Sequence, residues 1–162
     1  MPSFDKHKAQ AQHNENLANH LNTSQKGLFN DWVVTACFYS SVHLVEAMTS
    51  KSKHLMVPAN NDSRYPKDRP VPLVKRSGVS HTSDLENLFN KRGHELRDCV
   101  LRDNSWFFDL VGITCSYLRK ESQTARYECQ EITQDDADKA IVKLFDARKC
   151  FNGWALKNKI DL

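Results

Sequence analysis

Three observations predict an all-α fold for this chain, an up-and-down bundle of four to five helices. Apolar residues recur at helical spacing in several long segments, and no alternating strand pattern lasts more than a few residues. Helix-capping residues mark several of the segment boundaries. A chain of 162 residues with 40% hydrophobic and 27% charged residues is also long enough to bury one core. We therefore expect a single helical domain over residues 1–162.

The first two helices are predicted on either side of a short turn. Helix one runs from about Phe4 to Gln25, and Gly27 ends it. Its inner side carries Ala11, Leu17, Ala18 and Leu21. Helix two runs from about Asp31 to Lys51, and its long apolar arc predicts that it is largely buried.

A long basic loop, at about 52–80, is predicted between helices two and three. Four prolines prevent a lasting helix there: Pro58, Pro66, Pro70 and Pro72. From Lys51 to His81 there are seven Lys or Arg side chains and only two acids. Such a patch is typical of a polyanion-binding surface, and it is equally the composition of an ordinary solvated loop. The candidate nucleic-acid-binding residues are Lys51, Lys53, Arg64, Lys67, Arg69 and Lys75.

Three further helices are predicted after the loop. Helix three begins at Ser83, which forms a capping box with Glu86. Helix four runs from Trp106 to about Arg126, and its polar side carries Asp109, Ser116, Arg119, Lys120 and Gln123. Helix five begins near Thr133, with acids in its first turn that complement the helix dipole. Its apolar residues are Ala140, Ile141, Leu144, Phe145, Phe151 and Trp154.

Helix two carries one polar stripe, which is the first candidate site. At about 100° per residue, its five members fall within about 120° of one another: Asp31, Thr35, Tyr39, His43 and Glu46. Their side chains are titratable or hydroxylated, unlike the lysine-rich face of an ordinary surface helix, so the stripe is predicted to line a cleft. In the alternative interpretation, Asp31 caps the helix and the others are hydrogen-bonded polar groups at a helix contact.

Two features of the composition bear on compartment and cofactors. The N-terminal segment is polar and shows no signal peptide, and no apolar run approaches the length of a membrane span, so we expect a cytoplasmic protein without a membrane partner. Five cysteines without any C-x-x-C pair make a zinc site or a disulfide framework improbable. We expect no metal and no cofactor.

Two segments resemble bacterial HEPN-type proteins, the higher-eukaryote and prokaryote nucleotide-binding helical bundles. The first is the Asp-Trp-x-x-Thr-x-x-Phe-Tyr-x-x-x-His-x-x-Glu-Ala run at 31–47, preceded by Asn16-Leu17. The second extends from Tyr117-Leu118 through Ser122 to Ala125-Arg126-Tyr127. The resemblance implies a bundle that is often dimeric and that occurs in RNA-cleaving toxins, in defence effectors and in inactive adaptors.

Active members of that family use an Arg-x4-6-His motif, which Arg76 and His81 match once. The resemblance implies that His81 is the base that takes the ribose 2′-OH proton and that Arg76 binds the phosphate. In the family a continuous helix often carries this pair. Here Gly78 lies between the two residues and disfavours such a helix, which is a departure from the family pattern. The implied function is a metal-independent endoribonuclease of toxin or phage-defence type, with RNA or a nucleotide, a second copy, and an antitoxin or another protein as partners. The alternative is a non-catalytic module that binds a nucleotide, RNA or protein.

Two weaker candidates lie on the helices. His43 and Glu46 share a face and suit a metal ion, but with Asp31 they form an internal hydrogen-bond network more simply. Arg126 and Tyr127, at the end of helix four, either cap carbonyl groups or pair with Glu46 or Asp31. A buried stripe would make Arg126 its nearest cation.

Overall fold

The described residues of the computed structural model, which are 3–51, 54–55, 71–72, 109–110, 112–128 and 130–162, form an all-α bundle. Within them there are four α-helices: α1 (Phe4–Ser24), α2 (Asn30–Lys51), α3 (Arg119–Tyr127) and α4 (Gln134–Lys157). The predicted fold class is confirmed. None of the described helices has the length and apolar character needed to cross a membrane.

Two short strands lie between α2 and α3. Strand β1 (His54–Leu55) pairs antiparallel with strand β2 (Val71–Pro72), so that His54 faces Pro72 and Leu55 faces Val71. Both strands belong to the predicted basic loop. The rest of that loop and the helix predicted to begin at Ser83 lie outside the described residues.

Helices α1 and α2 approach closely because small residues lie between them. Ala11 and Ala18 of α1 are fully buried, and the Ser40 hydroxyl of α2 donates a hydrogen bond to the Ala11 carbonyl at 2.8 Å. Gly27 closes the turn with a φ of +82°, a conformation that suits glycine. Leu17, predicted to face inward, is instead exposed, because it lies about 100° around the helix from Ala18.

Helix α2 is the central element of the bundle and contacts α1, α3 and α4. Its buried apolar residues are Val33, Val34, Ala36, Cys37, Phe38, Val42, Leu44, Val45, Ala47 and Met48. The prediction that this helix is largely buried is confirmed. Burial raises the pKa of the Cys37 thiol, so this side chain stays protonated and packs as a small apolar group.

A π-helical turn, Thr114–Leu118, leads directly into α3 and is not expected from the sequence. Residues 109–110 and 112–113, before this turn, are also helical. Thr114 and Leu118 are fully buried, whereas the predicted polar side is confirmed as the outer one: Asp109, Ser116, Lys120 and Gln123 are exposed, and Arg119 is half-buried.

Helix α4 begins at the predicted position. Thr133 is its N-cap, and Asp136 completes a capping box by accepting a hydrogen bond from the Thr133 backbone at 3.0 Å. Its buried face carries Ala137, Ala140, Leu144, Ala147, Phe151, Trp154 and Ala155. Phe145, predicted as one of the apolar core residues, lies on the opposite face and is exposed. An ion pair between Glu15 of α1 and Arg148 joins this helix to the bundle.

Candidate functional site

The polar stripe of α2 changes from exposed to buried along the helix. Asp31 is exposed, Thr35 is buried, and Tyr39, His43 and Glu46 are half-buried. The expectation that Asp31 lies in a buried cleft is wrong. Helix α2 begins at Asn30, so Asp31 lies in its first turn, where an exposed carboxylate complements the helix dipole without a buried partner.

The second feature is a cluster of one arginine and three aromatic rings, which we call the aromatic–arginine cluster: Phe38, Tyr39, Arg126 and Tyr127. The Arg126 guanidinium carbon lies 5.9 Å from the Phe38 ring centre, 5.6 Å from that of Tyr39 and 5.0 Å from that of Tyr127. These distances are within cation–π range. The cluster joins the middle of α2 to the end of α3.

Hydrogen bonds fix the position of Arg126 in this cluster. Its Nη1 donates to the Tyr39 hydroxyl at 3.0 Å, and its Nε donates to the Ser122 carbonyl at 3.0 Å. The bond to Ser122 is the carbonyl-capping role that the sequence left open. The expectation of a buried ion pair is wrong, because Arg126 is exposed and these two acceptors are neutral. A guanidinium has five N–H donors in a planar fork, a geometry that suits a phosphate, and these two bonds use two of them.

Exposed aromatic side chains lie in the cluster and near the start of α2. Tyr127 is 72% exposed, so its ring is available for stacking. Trp32 is also exposed and lies seven residues before Tyr39, on the same side of α2. Phe29 is exposed in the turn that precedes this helix. The exposed cation beside the exposed Tyr127 ring can contact a phosphate and stack on a base, which are two contacts that single-stranded nucleic acids offer.

His43 of the stripe meets a second histidine from α1. Its Nδ1 lies 3.1 Å from the Nδ1 of His7, and the ring centres are 5.3 Å apart. A hydrogen bond at this distance requires one nitrogen to donate and the other to accept, so at most one ring is protonated. Burial lowers the pKa of both histidines, and the neighbouring His7 lowers that of His43 further. The pair therefore favours the neutral state.

The other predicted site residues have different locations. Lys51 is exposed at the end of α2, and its ammonium nitrogen lies 5.3 Å from the Phe4 ring centre. The candidate catalytic residues, Arg76 and His81, lie outside the described residues. So do the remaining predicted nucleic-acid-binding residues, Lys53, Arg64, Lys67, Arg69 and Lys75.

Sequence reasoning missed two members of the site region. His7 was not singled out, although it lies within about 60° of Phe4 and Ala11 around α1 and therefore on the buried side. Phe38 belongs to the apolar arc of α2 and is buried, as that arc predicts, but its ring also contacts Arg126. Helical phase could have identified the first; the second depends on the position of α3.

The metal and family questions complete the description. Over the described part of the chain, no three or more His, Cys, Asp or Glu side chains are grouped so as to hold a metal ion. Comparisons of the chain with protein-family models, curated proteins and solved structures find no match.

Proposed function

We propose that this protein is an RNA-directed helical bundle of HEPN type and that it acts as a metal-independent endoribonuclease of toxin or phage-defence type. The observation that carries the RNA part is the aromatic–arginine cluster, in which the exposed Arg126 is held beside the exposed Tyr127 ring. The sequence resemblance over 31–47 and 117–127 supports the family, and the basic composition of 51–81 supports a polyanion partner.

In this proposal the cluster binds RNA and the Arg76/His81 pair cleaves it. Arg126 neutralises a backbone phosphate with its free N–H groups, and Tyr127 stacks on an unpaired base. His81 takes the 2′-OH proton and Arg76 stabilises the charge that develops on the phosphorus group. We also propose a cytoplasmic homodimer that has an antitoxin or another protein as its regulator.

The binding step is tested with two variants of the cluster. The affinity for a labelled single-stranded RNA is measured by fluorescence anisotropy for wild type, Arg126→Ala and Tyr127→Ala. Loss of one stacked base costs about 1–3 kcal/mol, so we expect Tyr127→Ala to weaken binding by roughly 5-fold to 150-fold. Lys6→Ala, at an exposed position of α1, is the control. Wild-type affinity in both cluster variants would refute the assigned surface.

The cleavage step needs its own assay. Purified protein is incubated with total RNA in the presence and absence of EDTA. Cleavage in both conditions, abolished by His81→Ala, is the expected result. Absence of cleavage in wild type, or cleavage unaffected by His81→Ala, would refute the enzymatic proposal.

A non-catalytic binding module is the second candidate, and one observation favours it. The Nδ1 of His43, the histidine of the polar stripe, is already hydrogen-bonded to His7, and an imidazole held in place in this way suits a recognition surface. Calorimetry against nucleotides and short RNAs distinguishes the two candidates. Binding without cleavage supports the module. If the protein neither binds nor cleaves these ligands, the remaining interpretation is a module that binds another protein.

A further inference from the structure

The outer face of α4 carries an apolar and charged stripe that is exposed among the described residues of the bundle. At about 100° per residue, Asp138, Val142, Phe145 and Lys149 fall within about 60° of one another. All four are exposed, and Val142 and Phe145 are 57% and 58% exposed, respectively. We call these four residues the α4 outer face. Adjacent exposed apolar side chains with a polar rim are typical of an interaction surface.

The order of these residues is symmetric about one point of the helix, midway between Lys143 and Leu144. Val142 and Phe145 lie at equal distances on either side of it, and so do Asp138 and Lys149. A two-fold axis through this point, perpendicular to the helix, places each residue opposite its symmetric counterpart in a second copy. Val142 then meets Phe145 of the second copy, and Asp138 meets Lys149.

We propose that the α4 outer face binds the same face of a second copy of this chain, with the two helices antiparallel. The interface contains two Val–Phe contacts at its centre and two Asp–Lys pairs at its ends. A parallel arrangement would place Asp138 against Asp138 and Lys149 against Lys149, and like charges in contact disfavour association. Charge complementarity therefore selects the antiparallel direction, and the symmetric order of the four residues makes a second copy a self-complementary partner.

The neighbouring charges are consistent with this selection. Asp135 pairs with Lys139 at 2.5 Å, and Asp146 pairs with Lys143 at 3.5 Å, each within its own helix. Asp138 accepts hydrogen bonds from the neutral amides of Asn22 and Gln134, at 3.0 and 2.9 Å. These amides lower the pKa of Asp138, which keeps its negative charge. Lys149 is exposed, and its ammonium nitrogen lies 4.6 Å from the Phe145 ring centre.

The test measures the oligomeric state by sedimentation velocity over a concentration series, without RNA. We expect wild type to dimerise and Lys149→Asp to weaken the dimer at least about tenfold, because two like-charged pairs replace two opposite ones. Asp138→Lys has the same effect. In the double variant D138K/K149D the opposite pairs are re-formed with their signs exchanged, so dimerisation returns toward the wild-type affinity. Lys120→Glu, an exposed lysine of α3, is the matched control and keeps the wild-type affinity.

A substitution at the centre of the interface gives a further test. Phe145→Ser removes both central contacts and should also weaken the dimer at least about tenfold, while a thermal melt checks that each variant is folded. A monomer at every concentration, or a dimer that none of these substitutions changes, would overturn the proposal. Weakening in both single variants without recovery in D138K/K149D would overturn the antiparallel arrangement. The inference rests on the homodimer of the proposed function, and because these measurements use no RNA, its failure is distinguishable from a failure of RNA binding or cleavage.

Discussion

Replacing His43 with glutamine is expected to change how the stability of the fold depends on pH. His43 and His7 share a hydrogen bond, and both have a pKa below the ordinary histidine value of 6.5. In the unfolded chain the pKa of each ring returns to about 6.5, so both rings bind protons more readily than in the folded protein. The contribution of this pair to the free energy of unfolding is therefore fully present above about pH 6.5 and is lost as the pH falls below that value.

The size of the effect follows from the number of protons. Each histidine that is protonated only in the unfolded state changes the free energy of unfolding by at most about 1.4 kcal/mol per pH unit. The slope for the pair is at most twice that, about 2.8 kcal/mol per pH unit, and it vanishes once both rings are also protonated in the folded protein. His43→Gln removes one titrating group and the hydrogen bond, which costs about 0.5–1.5 kcal/mol at neutral pH.

Urea denaturation of wild type and His43→Gln at several pH values between about 5 and 8 provides the measurement. The carboxylates contribute equally to both proteins, so the difference between the two curves isolates the pair. His20→Gln, at an exposed position of α1, is the control and should follow wild type. Parallel pH curves for wild type and His43→Gln would refute the reasoning.

Three further substitutions test the packing. Phe151→Ala removes a fully buried ring that lies 6.0 Å from Phe4, so chemical denaturation should show a loss of about 3–5 kcal/mol, and a loss below about 2 kcal/mol would contradict this packing. Thr133→Ala removes the α4 cap and should cost about 1 kcal/mol in the same assay; an unchanged midpoint would refute the cap. Arg148→Ala breaks an ion pair with Glu15 whose side chains are only 15% and 19% exposed, so we expect a loss of about 2–3 kcal/mol, between the surface and the buried cases. A double-mutant cycle with Glu15→Ala showing no coupling would rule that pair out.

The sequence predicted features that depend on local chemistry. The start of α4 was predictable because Thr133 and the acids of its first turn lie next to one another in the chain. The end of α1 followed from Gly27, whose positive φ other residues rarely adopt. The burial of α2 followed from an apolar arc that covers most of its circumference. In each case one short segment contains the whole signal.

Features that depend on how helices meet were not predictable. The exposure of Arg126 is set by where α3 ends relative to α2, and the polar stripe contains no information on that point. The π-helical turn at Thr114–Leu118 has no residue signature, and it changes the phase of the helix that follows. The His7–His43 contact joins residues from two different helices. Phe145 has the apolar side chain typical of a core residue, but it lies on the face of α4 that points away from the core.

The salt dependence of RNA binding tests the central claim, that this bundle is directed to RNA, most directly. The affinity of wild type for a single-stranded RNA is measured in EDTA over a range of salt concentrations, alongside Arg126→Ala. We expect the logarithm of the binding constant to fall linearly with the logarithm of the salt concentration. Loss of the one phosphate contact of Arg126 should make the slope shallower by about 0.7. Absence of binding by wild type at low salt, or the same slope for both proteins, would contradict the account.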